Sequence, residues 1–249
     1  MAQWGKLTYA QKRCLGEAGR VMQTTNMIWP GARIGVAASG GMDSWVLLQV
    51  LLMRQRIVPF PFEIMVLHVN PGFDEGNHVP LVGWAEARGL AIHAAVSAHG
   101  PEAHGPENRK RSPCFYCSMR RRKWLFDRCR EYGLTHLAFG HNADDLVQNF
   151  FLNLVRTGRV DGMSIGEWFF GRELLVIRPL LLVEKRYIRP AAKSWNLPIW
   201  SNPCPSAAST ARKEMVERVQ DLTRGDRRMM KNIVNGLRRW QLDLTGALS

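Results

Sequence analysis

Short apolar runs alternate along this chain with longer amphipathic stretches. Ile34 to Ala38, Ile64 to Val69, Leu90 to Val96, Thr135 to Phe139 and Leu174 to Ile177 read as strands, each closed by polar or turn-forming residues. Between them, helical spacing covers residues 7 to 29, Trp45 to Met53, about His78 to Arg88, Pro113 to Tyr132 and Ala143 to Arg156. Three more helical segments follow, near Lys185–Trp195, Ala211–Leu222 and Arg224–Trp240. Residues 97 to 112 are polar and rich in Gly and Pro, and read as a mobile linker. Strands alternating with helices predict an α/β fold: a doubly wound, mainly parallel five-stranded sheet with a helical C-terminal extension. The expected division is an ATP-binding α/β domain over residues 1–200, followed by a cysteine-bearing loop and basic helices over residues 201–249.

In such a sheet, ligands bind outside the carboxyl ends of the strands. Polar clusters stand at those ends. The first is Ser39-Gly40-Gly41-Met42-Asp43-Ser44, directly after a strand and before a helix. Two glycines let an anion approach the backbone amides of a helix N-terminus. No Gly-Lys-Ser/Thr follows, so this is not a Walker A loop. It resembles the Ser-Gly-Gly-x-Asp-Ser loop of the PP-loop ATP pyrophosphatases. ATP contacts are accordingly expected from Ala38, Ser39, Gly40, Gly41, Asp43 and Ser44, with adenine beside His68 and Val69 after the second strand. After the fourth, Gly140 and His141, also expected to contact ATP, lead into Asn142, an N-cap, and Asp144 and Asp145 in the first helical turn. These carboxylates complement the helix dipole. With Asp43 they could also hold the Mg²⁺ that neutralises a departing pyrophosphate.

The 249 residues carry a formal charge of +13, which favours a polyanionic partner. The cations cluster at Arg109-Lys110-Arg111 and Arg120-Arg121-Arg122-Lys123, expected RNA contacts, and again from Arg212 to Arg239. No apolar run approaches the roughly 20 residues of a membrane span, and the N-terminus lacks the apolar block of a signal peptide. The expectation is cytoplasmic. Five cysteines, an odd number, argue against a disulfide framework. Cys14 and Cys129 sit among apolar neighbours and read as core. Cys114 and Cys117 face one way on the first helical turns after Ser112-Pro113, where the dipole and nearby cations are expected to lower their thiol pKa values. Cys204 lies in a Pro-rich loop, where packing seldom asks for cysteine. Three thiolates suit a [4Fe–4S] cluster with one open iron or, with a further ligand, zinc.

Ser39–Ser44, Gly140–Asp145, Cys114-Phe115-Tyr116-Cys117 with Arg120-Arg121-Arg122, Phe151-Leu152-Asn153-Leu154 and Arg178-Pro179-Leu180 occur in the order seen in the tRNA 2-thiocytidine synthetases. The chain resembles that family over roughly residues 15 to 222. The resemblance implies an adenine nucleotide α-hydrolase-like fold and a cytosolic enzyme that adenylates a cytidine of tRNA and displaces AMP with sulfur at C2. It implies a [4Fe–4S] cluster on Cys114, Cys117 and Cys204, ATP and Mg²⁺ on Asp43, Asp144 and Asp145, and a sulfur donor such as a cysteine desulfurase. It leaves room for a homodimer and none for a membrane. Met42 stands where the family commonly has Lys, and Ser201 where a fourth cysteine is typical. Two rival readings are a PP-loop ligase of lysidine-synthetase type and a zinc-containing RNA- or nucleotide-binding protein without catalysis.

Overall fold

The structure, a computed structural model, describes residues 6–109, 111–200, 202–208 and 211–241. Helix α1 (Tyr9–Thr24) opens on a capping box, Thr8 accepting from the Gln11 backbone while the Gln11 side chain accepts from Thr8. It ends short of the predicted boundary because Asn26 turns to a positive φ of 49°. Then come β1 (Arg33–Ala37), α2 (Met42–Ile57), β2 (Glu63–Asn70), α3 (Val79–Glu86), β3 (Ala91–Val96), α4 (His99–His104) and α5 (Pro113–Glu131). The second half holds β4 (His136–Ala138), α6 (Ala143–Thr157), β5 (Gly166–Phe169), β6 (Leu174–Ile177), α7 (Lys185–Ser194), α8 (Ala211–Thr223) and α9 (Arg227–Gln241).

Among the described residues the strands form one sheet in the order β3-β2-β1-β4-β6-β5. The five predicted strands run parallel. A sixth, β5, was not expected and pairs antiparallel with β6 at the edge. Its four residues run straight into a tight turn, too short a run to show a period. Strand order reverses around β1, so the crevice opens between the carboxyl ends of β1 and β4.

Helix α2 is the central buried helix. Its residues from Ser44 to Leu51 are all buried, beneath α1 and α7 and against Ile34 and Val36 of the sheet. Each fully buried aliphatic side chain there contributes about 1.5–3 kcal/mol relative to exposure. The opposite face packs Leu67, Leu137 and Val176 on Leu125 and Cys129 of α5. Cys14 and Cys129 are core residues, and burial pushes both thiols up to about 12. The predicted mobile linker is instead tied down. It folds into α4 against α5, with Tyr116 Oη donating to Glu102 at 3.2 Å and the Asn108 amide donating to Ala103 and Arg111 carbonyls. Among the described residues, no helix is long and apolar enough to cross a membrane.

Candidate functional site

The loop after β1 is tied to itself. Ser44 Oγ donates to the Gly41 carbonyl at 2.8 Å and accepts from the Ser39 N–H at 3.1 Å. Ser39 Oγ accepts from the Gly41 N–H at 3.3 Å. These bonds hold the chain in a curl leading directly into α2, whose N-cap is Gly41. Gly40 has φ of +82°, and a Cβ there would lie 2.2 Å from the Trp200 ring, so glycine is required twice over. Trp200 packs on the loop, its N–H donating to the Gly40 carbonyl at 3.1 Å, and its indole meets Trp45 and His68 edge-on. That donor is the backbone N–H; among the described residues the indole Nε1 is buried without a hydrogen-bond partner.

Across the crevice, the loop before α6 comes into direct contact. A Cβ on Gly140 would stand 2.8 Å from the Asp43 backbone. His68 Nδ1–H donates to the Ala38 carbonyl at 2.8 Å, and burial depresses its pKa to about 4. His141, stacked on Phe139, is held near 3, first by burial and then by Arg178, Arg212, Arg121 and Arg122. Both imidazoles are neutral near pH 7. Ala38 and Val69 are both buried.

The three carboxylates divide their work. Asp145 completes the α6 capping box, accepting from the Asn142 N–H at 3.1 Å. Asp144 accepts from the Lys185 backbone N–H at 2.8 Å, at the start of α7. Asp43 Oδ2 faces Lys185 Nζ at 3.5 Å, while its Oδ1 is buried and, among the described residues, makes no hydrogen bond of ordinary length, although the Asn142 amide acts on this carboxylate. Burial raises the pKa of both Asp43 and Asp144, and Lys185 opposes the rise in each. A buried carboxylate with an oxygen to spare has the chemistry of a hard-cation ligand. Sequence reasoning missed Lys185. It follows the carboxyl end of β6, so the rule that located the other clusters could have found it. Nothing in the sequence tells that Trp200 lies on Gly40.

The three cysteines come together from two segments 87 residues apart. Cys114 and Cys117 sit on the first turns of α5, and Cys204 on the loop before a short 3₁₀ turn at Pro205–Ala208. Each of the α5 thiols feels Cys204 electrostatically, and Cys117 also feels Cys114. The expectation of lowered thiol pKa values is overturned. Both are raised, because burial and the neighbouring sulfurs outweigh Arg212 at Cys114 and Arg121 at Cys117. The Cys204 loop is anchored by Asn77 donating to Asn202 at 2.5 Å, and His104 Nε2 lies 4.0 Å from Cys204 Sγ. Among the described residues, no three His, Cys, Asp or Glu side chains close around a single metal ion. Ser201 lies outside the described residues.

The expected RNA-binding run is split by its helix. Arg109, Arg111, Arg120, Arg122 and Lys123 are exposed, though Arg120 bonds Tyr116 Oη and Lys123 pairs with Asp127. Lys110 lies outside the described residues. Arg121 turns inward. Half-buried, it is partly stripped of water, which lowers its pKa, and it acts on Cys117, His68 and His141 together. One cation thus joins the cysteines to the phosphate-loop crevice.

This sheet order, with a self-tied glycine loop at the switch point facing an acidic helix start, defines a nucleotide-binding protein of the PP-loop class. The family model described as the PP-loop domain matches residues 17–204. Among curated proteins, the tRNA-cytidine(32) 2-sulfurtransferase of Pseudomonas fluorescens is 31% identical, over 91% of this chain and 83% of that protein. Its counterpart from Bordetella parapertussis is 32% identical, over 92% and 72%. Among solved structures, the U34-tRNA thiolase NcsA from Methanococcus maripaludis with its [4Fe-4S] cluster superposes with a TM-score of 0.73 at 22% identity, over 93% of this chain and 83% of that one. The chain belongs to the PP-loop family and, within it, to the tRNA-cytidine(32) 2-sulfurtransferases.

Proposed function

We propose that this protein uses ATP to thiolate cytidine in tRNA, at the position its relatives are named for, with Cys114, Cys117 and Cys204 as the sulfur-handling ligands. ATP lays its phosphates on the amides of Ser39–Ser44, with adenine beside His68 and Val69. Asp43 and Asp144 would hold Mg²⁺, which would neutralise charge on the departing pyrophosphate, and Asp145 keeps the start of α6 in place. The cytidine O2 attacks the α-phosphorus, the bond to the β-phosphate oxygen breaks, and pyrophosphate leaves. Hydrosulfide then attacks C2 and loses its proton to solvent while the C2–O2 bond breaks, so that AMP departs with the former O2. Arg121, between the thiols and the crevice, counters the negative charge that builds up on the phosphorus and on AMP.

The observation that supports this reading is the nearness of Cys204 to Cys114 and Cys117, with Arg121 acting on Cys117. The donor set fits a [4Fe–4S] cluster. Thiolates on a cluster bind separate irons and stand wider apart than about 3.8 Å, the spacing that tetrahedral Zn–S bonds of about 2.3 Å impose. Cys114, Cys117 and Cys204, within electrostatic reach of one another, supply the thiolate donors that such a cluster takes. When bound, a cluster with three protein ligands supplies an iron open to exogenous sulfur. A reducing compartment such as the cytoplasm, a sulfur donor such as a cysteine desulfurase, and a division near residue 200 between ATP chemistry and the third ligand belong to the same reading.

The deciding experiment combines anaerobically purified protein, ATP, sulfide and unmodified tRNA. The expected result is 2-thiocytidine by mass spectrometry, dependent on ATP, from protein holding iron and acid-labile sulfide. Stoichiometric zinc without iron, and no thiolated nucleoside, would overturn it.

A further inference from the structure

The cysteine-bearing helix α5 has a second working face. Phe115, Met119, Arg122, Phe126 and Arg130 recur along it at helical spacing, next to the face that carries Cys114, Cys117 and Arg121. They line a groove of about 600 Å³, closed on its far side by Phe170 from the β5–β6 turn. Three aromatic rings and a methionine at a surface are unusual for a helix that needs only one buried face. Phe115 is 56% exposed and Phe170 44%.

Phe170 is held there against its own preference. Its φ is +55°, a conformation costly for a bulky side chain, and Gly171 and Arg172 continue the turn with positive φ. The turn presents the ring edge-on to Phe126 at 5.3 Å, while the Arg130 guanidinium lies 5.5 Å from the Phe170 ring. Arg111 sits in the same way 5.4 Å from Phe115. Arg122, Lys123 and Arg130 meet one carboxylate, Asp127, which Lys123 already engages at 2.9 Å.

We infer that this groove binds unpaired RNA nucleotides, stacking bases on Phe115 and Phe170 while Arg122 and Arg130 hold the backbone phosphates. Aromatic faces interleaved with guanidinium groups match a strand that offers bases and phosphates in alternation. A protein partner would match the rings but not the excess of positive charge. The inference rests on the RNA-substrate reading and adds where the strand flanking the target base runs: along α5, one helix face away from the thiols.

The test compares affinities of the full-length protein for a stem-loop RNA and for a duplex of the same stem without the loop. Phe115→Ala and Phe170→Asn are each expected to weaken stem-loop binding by about tenfold, the scale of losing one stacked base, with duplex binding unchanged. Arg122→Ala should weaken both and flatten the salt dependence. Asparagine tolerates positive φ, so Phe170→Asn should stay folded, with its ATP affinity as the check. Unchanged stem-loop affinity in both aromatic variants would overturn the groove, and so would equal losses on stem-loop and duplex. Wild-type protein that bound neither RNA would instead overturn the tRNA reading itself.

Discussion

At the phosphate loop the working groups are backbone amides, fixed by bonds among Ser39, Gly41 and Ser44 within one short stretch of chain. At the cysteine end they are side chains, delivered by a helix and a loop that meet only in the folded protein. The first end is rigid by local geometry, while the second depends on anchors such as Asn77 on Asn202. The contrast teaches that one crevice can join a locally determined phosphate loop to a remotely assembled group of thiols, with Arg121 and Lys185 reaching between elements.

If the two ends work separately, Cys117→Ser will lower thiolation at least ~100-fold while leaving ATP affinity intact, since truncating one of few ligands removes the chemistry and not the nucleotide cradle. Mass spectrometry of tRNA nucleosides beside equilibrium ATP binding checks this. A parallel loss of ATP binding would mean that the ends are mechanically one. Lys185→Met should weaken ATP roughly tenfold and AMP hardly at all, because a cation 3.5 Å from Asp43 is placed to meet charge that AMP lacks. Equal losses for both nucleotides would make Lys185 a merely structural pin.

Gly40→Ala strikes the local geometry directly. It should cost about 2–3 kcal/mol through positive φ and collision with Trp200, read as a lower denaturation midpoint. Pairing it with Trp200→Ala should recover only the collision's share. The smallest effect concerns pH. His136 is buried far from the crevice, its pKa depressed to about 4 mainly by burial. The unfolded chain binds that proton near pH 6.5 and the folded one does not, so stability falls on acidification. About 1 kcal/mol should be lost at this residue between pH 7 and about 5.5. His136→Gln should flatten the slope of stability against pH by that amount, whatever it does to stability at pH 7.

The five parallel strands and most helices were legible because their apolar runs and turn residues are local signals. Strand β5 escaped because four residues before a tight turn carry no period. The helix inside 97–112 escaped because what stabilises it, packing on α5 and the Tyr116–Glu102 contact, lies outside the segment. The thiol pKa values came out opposite to expectation for a related reason. Helix dipole and nearby arginines can be read along the chain, whereas burial and the approach of Cys204 cannot.

The chain itself determined the order of elements, the glycine loop with its acid partner and the presence of three chemically apt cysteines, because each depends on residues within a few positions of one another. Tertiary structure alone decided that Cys204 joins Cys114 and Cys117, that Asp145 caps while Asp43 keeps an oxygen free, that Lys185 and Trp200 reach the loop, and that Arg121 turns inward. These depend on distances across the fold and on loss of water, and neither is written in the spacing of residues along the chain.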